Sequence, residues 1–194
     1  MADGWDAKLA RKMKDLSLHI LDIFQNSVRA KATEIKVEIL LSVKENRFEF
    51  TISDNGCGMD EATLERVKDP FFTSRTHRKV GLGIPLLYQN ANLAGGDVCI
   101  KSELGKGTTL TAWFQLDNWD RPPVGDCADL MALIVSSYPY IRIVFEIQTE
   151  SGSYSVDSLK IKEVLDGVSI SSPEVILLLK KMFIDNLADI KFEE

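Results

Sequence analysis

The apolar positions of the chain change period several times. From Ala7 to about Ala30 the residues Leu16, Ile20, Ile23, Phe24 and Ser27/Val28 recur at spacings of three and four, which predicts an amphipathic helix. The period then falls to two. Ile35, Val37, Ile39, Leu41 and Val43 alternate with Glu34, Lys36 and Glu38, and Phe48, Phe50 and Ile52 alternate after "KEN", so the two segments read as a hairpin. A short charged helix is expected over 60–68, capped by Asp60 and ending before Pro70. A glycine loop, "VGLGI", leads into a helix that stops at "AGG", 94–96, and strands near 97–103 and 108–116 flank "ELGKG". This order predicts an α+β fold, a two-layer sandwich with helices on one face of a mixed, mostly antiparallel sheet.

The last third repeats the pattern on a smaller scale. "YIRIVFEIQT" and "SYSVDSL" alternate around "ESGS" as a further hairpin, and a short helix near 159–165 follows. Ser171 with Glu174 fits a capping box, Pro173 suits a first helical turn, and Val175, Ile176, Leu178, Leu179, Met182, Phe183 and Leu187 give the final helix a wide apolar face. Burial against the main domain accounts for such width, with partner binding as the alternative.

Charge divides the chain unevenly. Residues 1–117 carry 16 Lys or Arg against 16 Asp or Glu, while 118–194 carry 7 against 13, so the net charge of −6 lies in the last third, which disfavours nucleic acid as its partner. The shift coincides with "DNWDRPPVGD", 117–126, a connector by composition; it sets the expected organisation of a first domain at 1–117 and an acidic α+β extension at 118–194. With 194 residues and 45% hydrophobic content a real core is expected, and no apolar run nears the roughly 20 residues of a membrane span. The N-terminus lacks the apolar stretch of a signal peptide, and Cys57, Cys99 and Cys127 fit neither a disulfide framework nor a zinc site, so a cytoplasmic protein with reduced thiols is expected.

Four stretches stand out chemically. Asp22 and Asn26 are spaced i, i+4 on the first helix with Arg29 three further on, either a solvated face or a set in which Asn26 holds magnesium through its carbonyl while Asp22 orients a nucleophile. "SDNGCGM" places Asp54 at a strand end before Gly56 and Gly58, which suits a plain turn or a pocket wall where a carboxylate meets a ligand's N–H donors. Gly81 and Gly83 precede a helix whose free N–H groups favour phosphate, and "GKGTT", 105–109, offers hydroxyls or an ordinary hairpin turn.

In this order and spacing the stretches resemble the ATPase superfamily shared by DNA gyrase, the large heat-shock chaperones, histidine kinases and the MutL mismatch-repair proteins. The resemblance covers roughly residues 15–117 and rests on "LDIFQNSVRA", "DNGCGM", "DPFFTS", "GLGI" and "GKGTT". It implies ATP and Mg2+ as cofactors. It implies that Asp54 accepts the adenine amino group beside Thr108 and a water, with Gly56, Gly58, Met59 and Phe72 around the base. It further implies magnesium on Asn26 near Arg29, Gly81, Leu82 and Gly83 along the phosphates, a lid over 73–79 bearing Arg75, Arg78 and Lys79, and a catalytic role for Asp22.

The short lid and "GLGIPLL" look most like the catalytic ATP-binding domain of histidine kinases or stand-alone anti-sigma-factor kinases, with too few residues upstream for a phospho-accepting helical hairpin. Asp22 departs from the glutamate usual in relatives that hydrolyse ATP or phosphorylate serine. His19 lies two turns from Asn26 on the same helix, where a packing role is expected, and His77 is at most a phosphate neighbour. Three functions follow from the resemblance: a protein kinase acting on a partner in trans, a nucleotide-gated binding protein, or a slow ATPase. Expected partners are ATP or ADP and a protein, with a homodimer as an option.

Overall fold

A computed structural model describes residues 15–67 and 83–192. Among these residues the chain runs through α1 (Leu16–Arg29), β1 (Glu34–Ser42), β2 (Arg47–Asp54), α2 (Glu61–Arg66), α3 (Gly83–Leu93), β3 (Asp97–Glu103) and β4 (Gly107–Gln115). It continues with α4 (Cys127–Ser137), β5 (Arg142–Thr149), β6 (Gly152–Asp157), α5 (Ser158–Leu165) and α6 (Pro173–Asp189). The six strands form one sheet in the order β3-β4-β2-β1-β5-β6, antiparallel except where β5 runs parallel to β1. The α+β sandwich with a mixed sheet is therefore the observed architecture.

Alternation decides the two faces of the sheet. Val37, Ile39, Phe48, Phe50, Ile52, Leu110, Ala112, Phe114, Phe145 and Ile147 point to the helical side and are buried. The opposite face is polar: Lys36 Nζ lies 2.8 Å from Glu38 and 2.9 Å from Glu146, Thr51 and Thr111 hydroxyls pair at 2.9 Å, and the Arg47 guanidinium stacks 4.5 Å above Trp113. One apolar face is enough for a two-layer domain.

The acidic last third enters this framework directly. Register pairs such as Val37↔Phe145 and Ile39↔Ile147 attach β5 to β1, and Ile143, Phe145 and Ile147 join the same hydrophobic core as Phe24 and Phe50. The connector is also fastened, since Leu16 N–H donates to the Pro123 carbonyl at 2.8 Å and Ser17 N–H to the Val124 carbonyl at 2.9 Å. These two bonds satisfy amides at the start of α1, whose cap Asp15 accepts from Leu18 N–H at 2.9 Å.

Three details differ from the sequence reading. Helix α4, which the periodicity did not mark, is buried over most of its surface (Cys127, Ala128, Leu130, Met131, Ala132, Ile134, Val135), and its narrow exposed stripe, Asp129, Leu133 and Ser137, has a leucine at its middle, so polarity marks its period poorly. The cap of α6 is Ser172, whose hydroxyl accepts from Val175 N–H, and Ser171 instead donates to the Ser136 carbonyl at 2.6 Å, tying the start of α6 to the end of α4. The buried stripe of α6 is Val175, Leu179, Phe183 and Leu187, narrower than its apolar sequence. Phe183 packs at 6.5 Å from the Tyr154 ring.

Candidate nucleotide site

The inner face of the sheet turns polar in one row. Register places Ser102 beside Thr108 and Thr108 beside Asp54, all on the helical side, while the preceding row is Ile100, Leu110 and Ile52. Ser102 Oγ and Thr108 Oγ1 are 2.9 Å apart, and Ser102 also donates to the Gly107 carbonyl at 3.0 Å. Three polar side chains thus close the end of an otherwise apolar face, paired with one another and with their neighbours.

Asp54 is the centre of the row. Its Oδ2 accepts from Ser27 Oγ of α1 at 2.6 Å and its Oδ1 from Gly56 N–H at 2.8 Å, so helix and turn fix the carboxylate while each oxygen keeps further acceptor capacity. Asn55 does structural work. Its Oδ1 accepts from Thr33 N–H (2.9 Å) and Glu34 N–H (3.0 Å), and its amide donates to Thr33 Oγ1, pinning the turn to the start of β1.

The glycines that follow are required by close approach. A Cβ on Gly56 would stand 2.8 Å from both the Ala30 side chain and its carbonyl, and Cys57 N–H donates to that same carbonyl at 2.9 Å. Gly58 has φ +63° and its missing Cβ would collide with the Glu103 carbonyl, which leaves room for Met59 N–H to donate to Ser102 Oγ at 2.8 Å. The turn thus threads between the end of α1 and the β3–β4 hairpin.

On α1, Asp22, Asn26 and Arg29 lie along one side as their spacing predicts. Asn26 Oδ1 accepts from Arg29 Nη1 at 2.5 Å, and Arg29 Nη2 reaches Gln25 Oε1 at 3.3 Å. The Asp22 carboxylate lies against Gly83, where a Cβ would collide with Oδ2, so an acid sits at the positive end of α3. Among the described residues no group of three or more His, Cys, Asp or Glu could hold a metal, so any ion here would depend on few protein oxygens. Asn26 Oδ1 fits that demand, because magnesium normally keeps waters and phosphate oxygens as most of its ligands, provided Arg29 turns aside.

Of the residues singled out from sequence, Asp54, Gly56, Gly58, Met59 and Thr108 converge at the sheet end, and Asp22, Asn26, Arg29 and Gly83 gather around α1 and the start of α3. Phe72, Gly81, Leu82, His77 and the 73–79 segment with Arg75, Arg78 and Lys79 lie outside the described residues. Ser27 and Ser102 were not read from the sequence. Ser27 counted as part of the apolar stripe, and its being a lone small hydroxyl within that stripe was the available signal. Replacing Ser27 by Ala is expected to cost about 2 kcal/mol in urea denaturation, since a nearly buried hydrogen bond to a carboxylate is lost.

His19 is packed. It is 1% exposed, its Nε2 lies 2.9 Å from the Asn90 amide of α3, its Nδ1 has no hydrogen-bond partner, and burial lowers its pKa to about 4.

Comparison with known proteins places the chain in a family. Residues 12–118 match the family described as Histidine kinase-, DNA gyrase B-, and HSP90-like ATPase. The sensor protein kinase FleS of Pseudomonas aeruginosa is 34% identical over 92 residues, 47% of this chain and 23% of FleS. The signal transduction histidine-protein kinase AtoS of Escherichia coli is 33% identical over 93 residues, 47% of this chain and 15% of AtoS, so the match spans under a quarter of either relative. A crystal structure of the N-terminal domain of a DNA repair protein superposes with a TM-score of 0.54 at 14% identity, covering 76% of this chain and 53% of that one, which is a likeness of fold. No helix among the described residues is long and apolar enough to cross a membrane. With the family matched over more than half its length, the chain belongs to the histidine kinase-, DNA gyrase B- and HSP90-like ATPases.

Proposed function

We propose that this protein binds ATP with magnesium and transfers phosphate to a separate protein, in the cytoplasm, as a histidine-kinase-like enzyme acting in trans. The observation that carries the reading is the polar row Ser102, Thr108 and Asp54 at the end of an apolar face, with the Asp54 carboxylate held by Ser27 and the Gly56 amide. A carboxylate with remaining acceptor capacity takes the adenine amino group, and Thr108 with a water serves the ring nitrogen beside it. Gly56, Gly58 and Met59 border the base and Gly83 the phosphates, and the family resemblance adds Phe72 to the first set and Gly81 and Leu82 to the second.

Asn26 would hold magnesium once Arg29 moves from its Oδ1 to phosphate oxygens; bound there, the ion neutralises charge on the triphosphate. Asp22 then orients the incoming hydroxyl or imidazole and accepts its proton. The boundary at 117 is functional in this reading: 1–117 supplies the nucleotide site, and the acidic 118–194 segment selects the protein substrate.

Radiolabelled ATP incubated with cell lysate fractions tests the proposal. Label is expected to pass to a partner protein with the wild type, and to be lost with Asn26→Ala and with Asp54→Ala. Absence of transfer to any fraction sinks the kinase reading.

The Arg29 bond to Asn26 also favours a second reading, in which nucleotide binding rearranges this pair and gates a partner surface with little catalysis. Asp22→Asn separates the two, because gating survives loss of that carboxylate and phosphotransfer does not.

A further inference from the structure

A buried polar contact joins α1 to α3 at a distance from the nucleotide residues. His19 of α1 is 1% exposed, and its Nε2 lies 2.9 Å from the Asn90 side-chain amide of α3. Three residues further along α1, Asp22 lies against Gly83, the first residue of α3. The contacts advance on α1 while they recede on α3, so the helices run in opposite directions and Asn90 sits about two turns behind the end that meets Asp22. The buried residues of α3 itself are Leu87 and Ala91. Apolar packing has no direction, and a helix can slide on it. A hydrogen bond fixes a position along the axis.

His19 makes this contact at the expense of stability. A neutral imidazole has one N–H for two ring nitrogens, and here Nδ1 is buried with no hydrogen-bond partner. Leucine would fill similar space with no polar atom to desolvate. The directional bond is what histidine adds. We propose that the His19–Asn90 bond sets how far α3 reaches toward the nucleotide, which makes His19 a positioning residue for the phosphate end of the site; this role rests on the nucleotide reading given above. A slip of one residue would move Gly83 by about 1.5 Å relative to Asp22 and Asn26, enough to misalign the free N–H groups at the start of α3 with a phosphate. The adenine end stays apart from the bond, because Asp54 is held by Ser27 and the Gly56 amide.

Calorimetry with ATP and magnesium, beside urea denaturation at pH 7, tests the assignment. His19→Leu is expected to bind ATP about tenfold more weakly, the scale of a helix N-terminus acting on a partly buried anion. Its stability is expected to match or exceed that of the wild type, because the unpaired Nδ1 is gone. His19→Gln, whose amide can reach Asn90 from the same helix position, is expected to restore ATP affinity to within about twofold of wild type. Adenosine, which carries no phosphate, is expected to bind all three proteins alike. Unchanged ATP affinity in His19→Leu overturns the role of the bond while leaving the nucleotide site in place. A loss that glutamine does not restore, that extends equally to adenosine, or that comes with a matching loss of stability overturns it as well. A wild type that binds neither ATP nor adenosine removes the nucleotide reading and this role together.

Discussion

Asp54→Ala is expected to weaken ATP and ADP binding by about 100-fold, read by calorimetry with and without magnesium. Hydrogen bonds to a charged group are worth roughly 1.5–3 kcal/mol, and each 1.4 kcal/mol is tenfold in affinity. Part of the effect comes through the scaffold, since Ser27 Oγ and Gly56 N–H both lose their acceptor. Asp54→Asn separates these contributions. It keeps the shape of the turn and one acceptor oxygen, yet introduces a donor where only acceptors stood. Wild type is expected to reject guanine nucleotides, whose ring oxygen would face the carboxylate, and the asparagine variant to narrow that preference. Wild-type affinity in Asp54→Ala would remove adenine from this pocket.

The second large effect is expected on acidification. Burial lowers the His19 pKa from 6.5 to about 4, against a smaller opposing pull from Asp15, so the folded protein holds this imidazole neutral while the unfolded chain protonates it. The unfolded state then binds more protons between those two values. Stability from this group is complete above pH 6.5 and declines as the pH falls toward 4, by on the order of 3 kcal/mol in total. Asp157 and Glu150, whose pKa values are lowered by Arg142 and by Ser42 respectively, give up their contributions only below the ordinary carboxylate range. Urea titrations at pH 7, 6 and 5 are expected to show the decline in wild type and a flattened profile in His19→Leu. An equal slope in both proteins would remove His19 as its source.

The pattern of side chains along the chain specified most of the elements. Period-two alternation in 35–43 and 48–52 forces one apolar strand face, and the glycine and asparagine breaks leave little choice about where those strands end. The family boxes pointed to Asp54 and Thr108, which stand side by side across β2 and β4, and to Asn26, which precedes the Ser27 that bonds Asp54. Periodicity failed at α4 because its one exposed stripe, Asp129, Leu133 and Ser137, has a leucine at its middle and does not read as a polar side.

Tertiary structure alone decided how the distant parts act on each other. That Ser27 fixes Asp54, that Asp22 rests on Gly83, and that Arg29 occupies Asn26 depend on side-chain directions no spacing rule encodes. The place of β5 beside β1 is of the same kind, since a parallel pairing is set by packing between segments a hundred residues apart. Local sequence determined the strands, the turns and the chemical groups on offer, because each depends on neighbours along the chain. Which groups meet was decided by the sheet order and helix packing, because only these bring remote carboxylates, hydroxyls and amides within hydrogen-bonding distance.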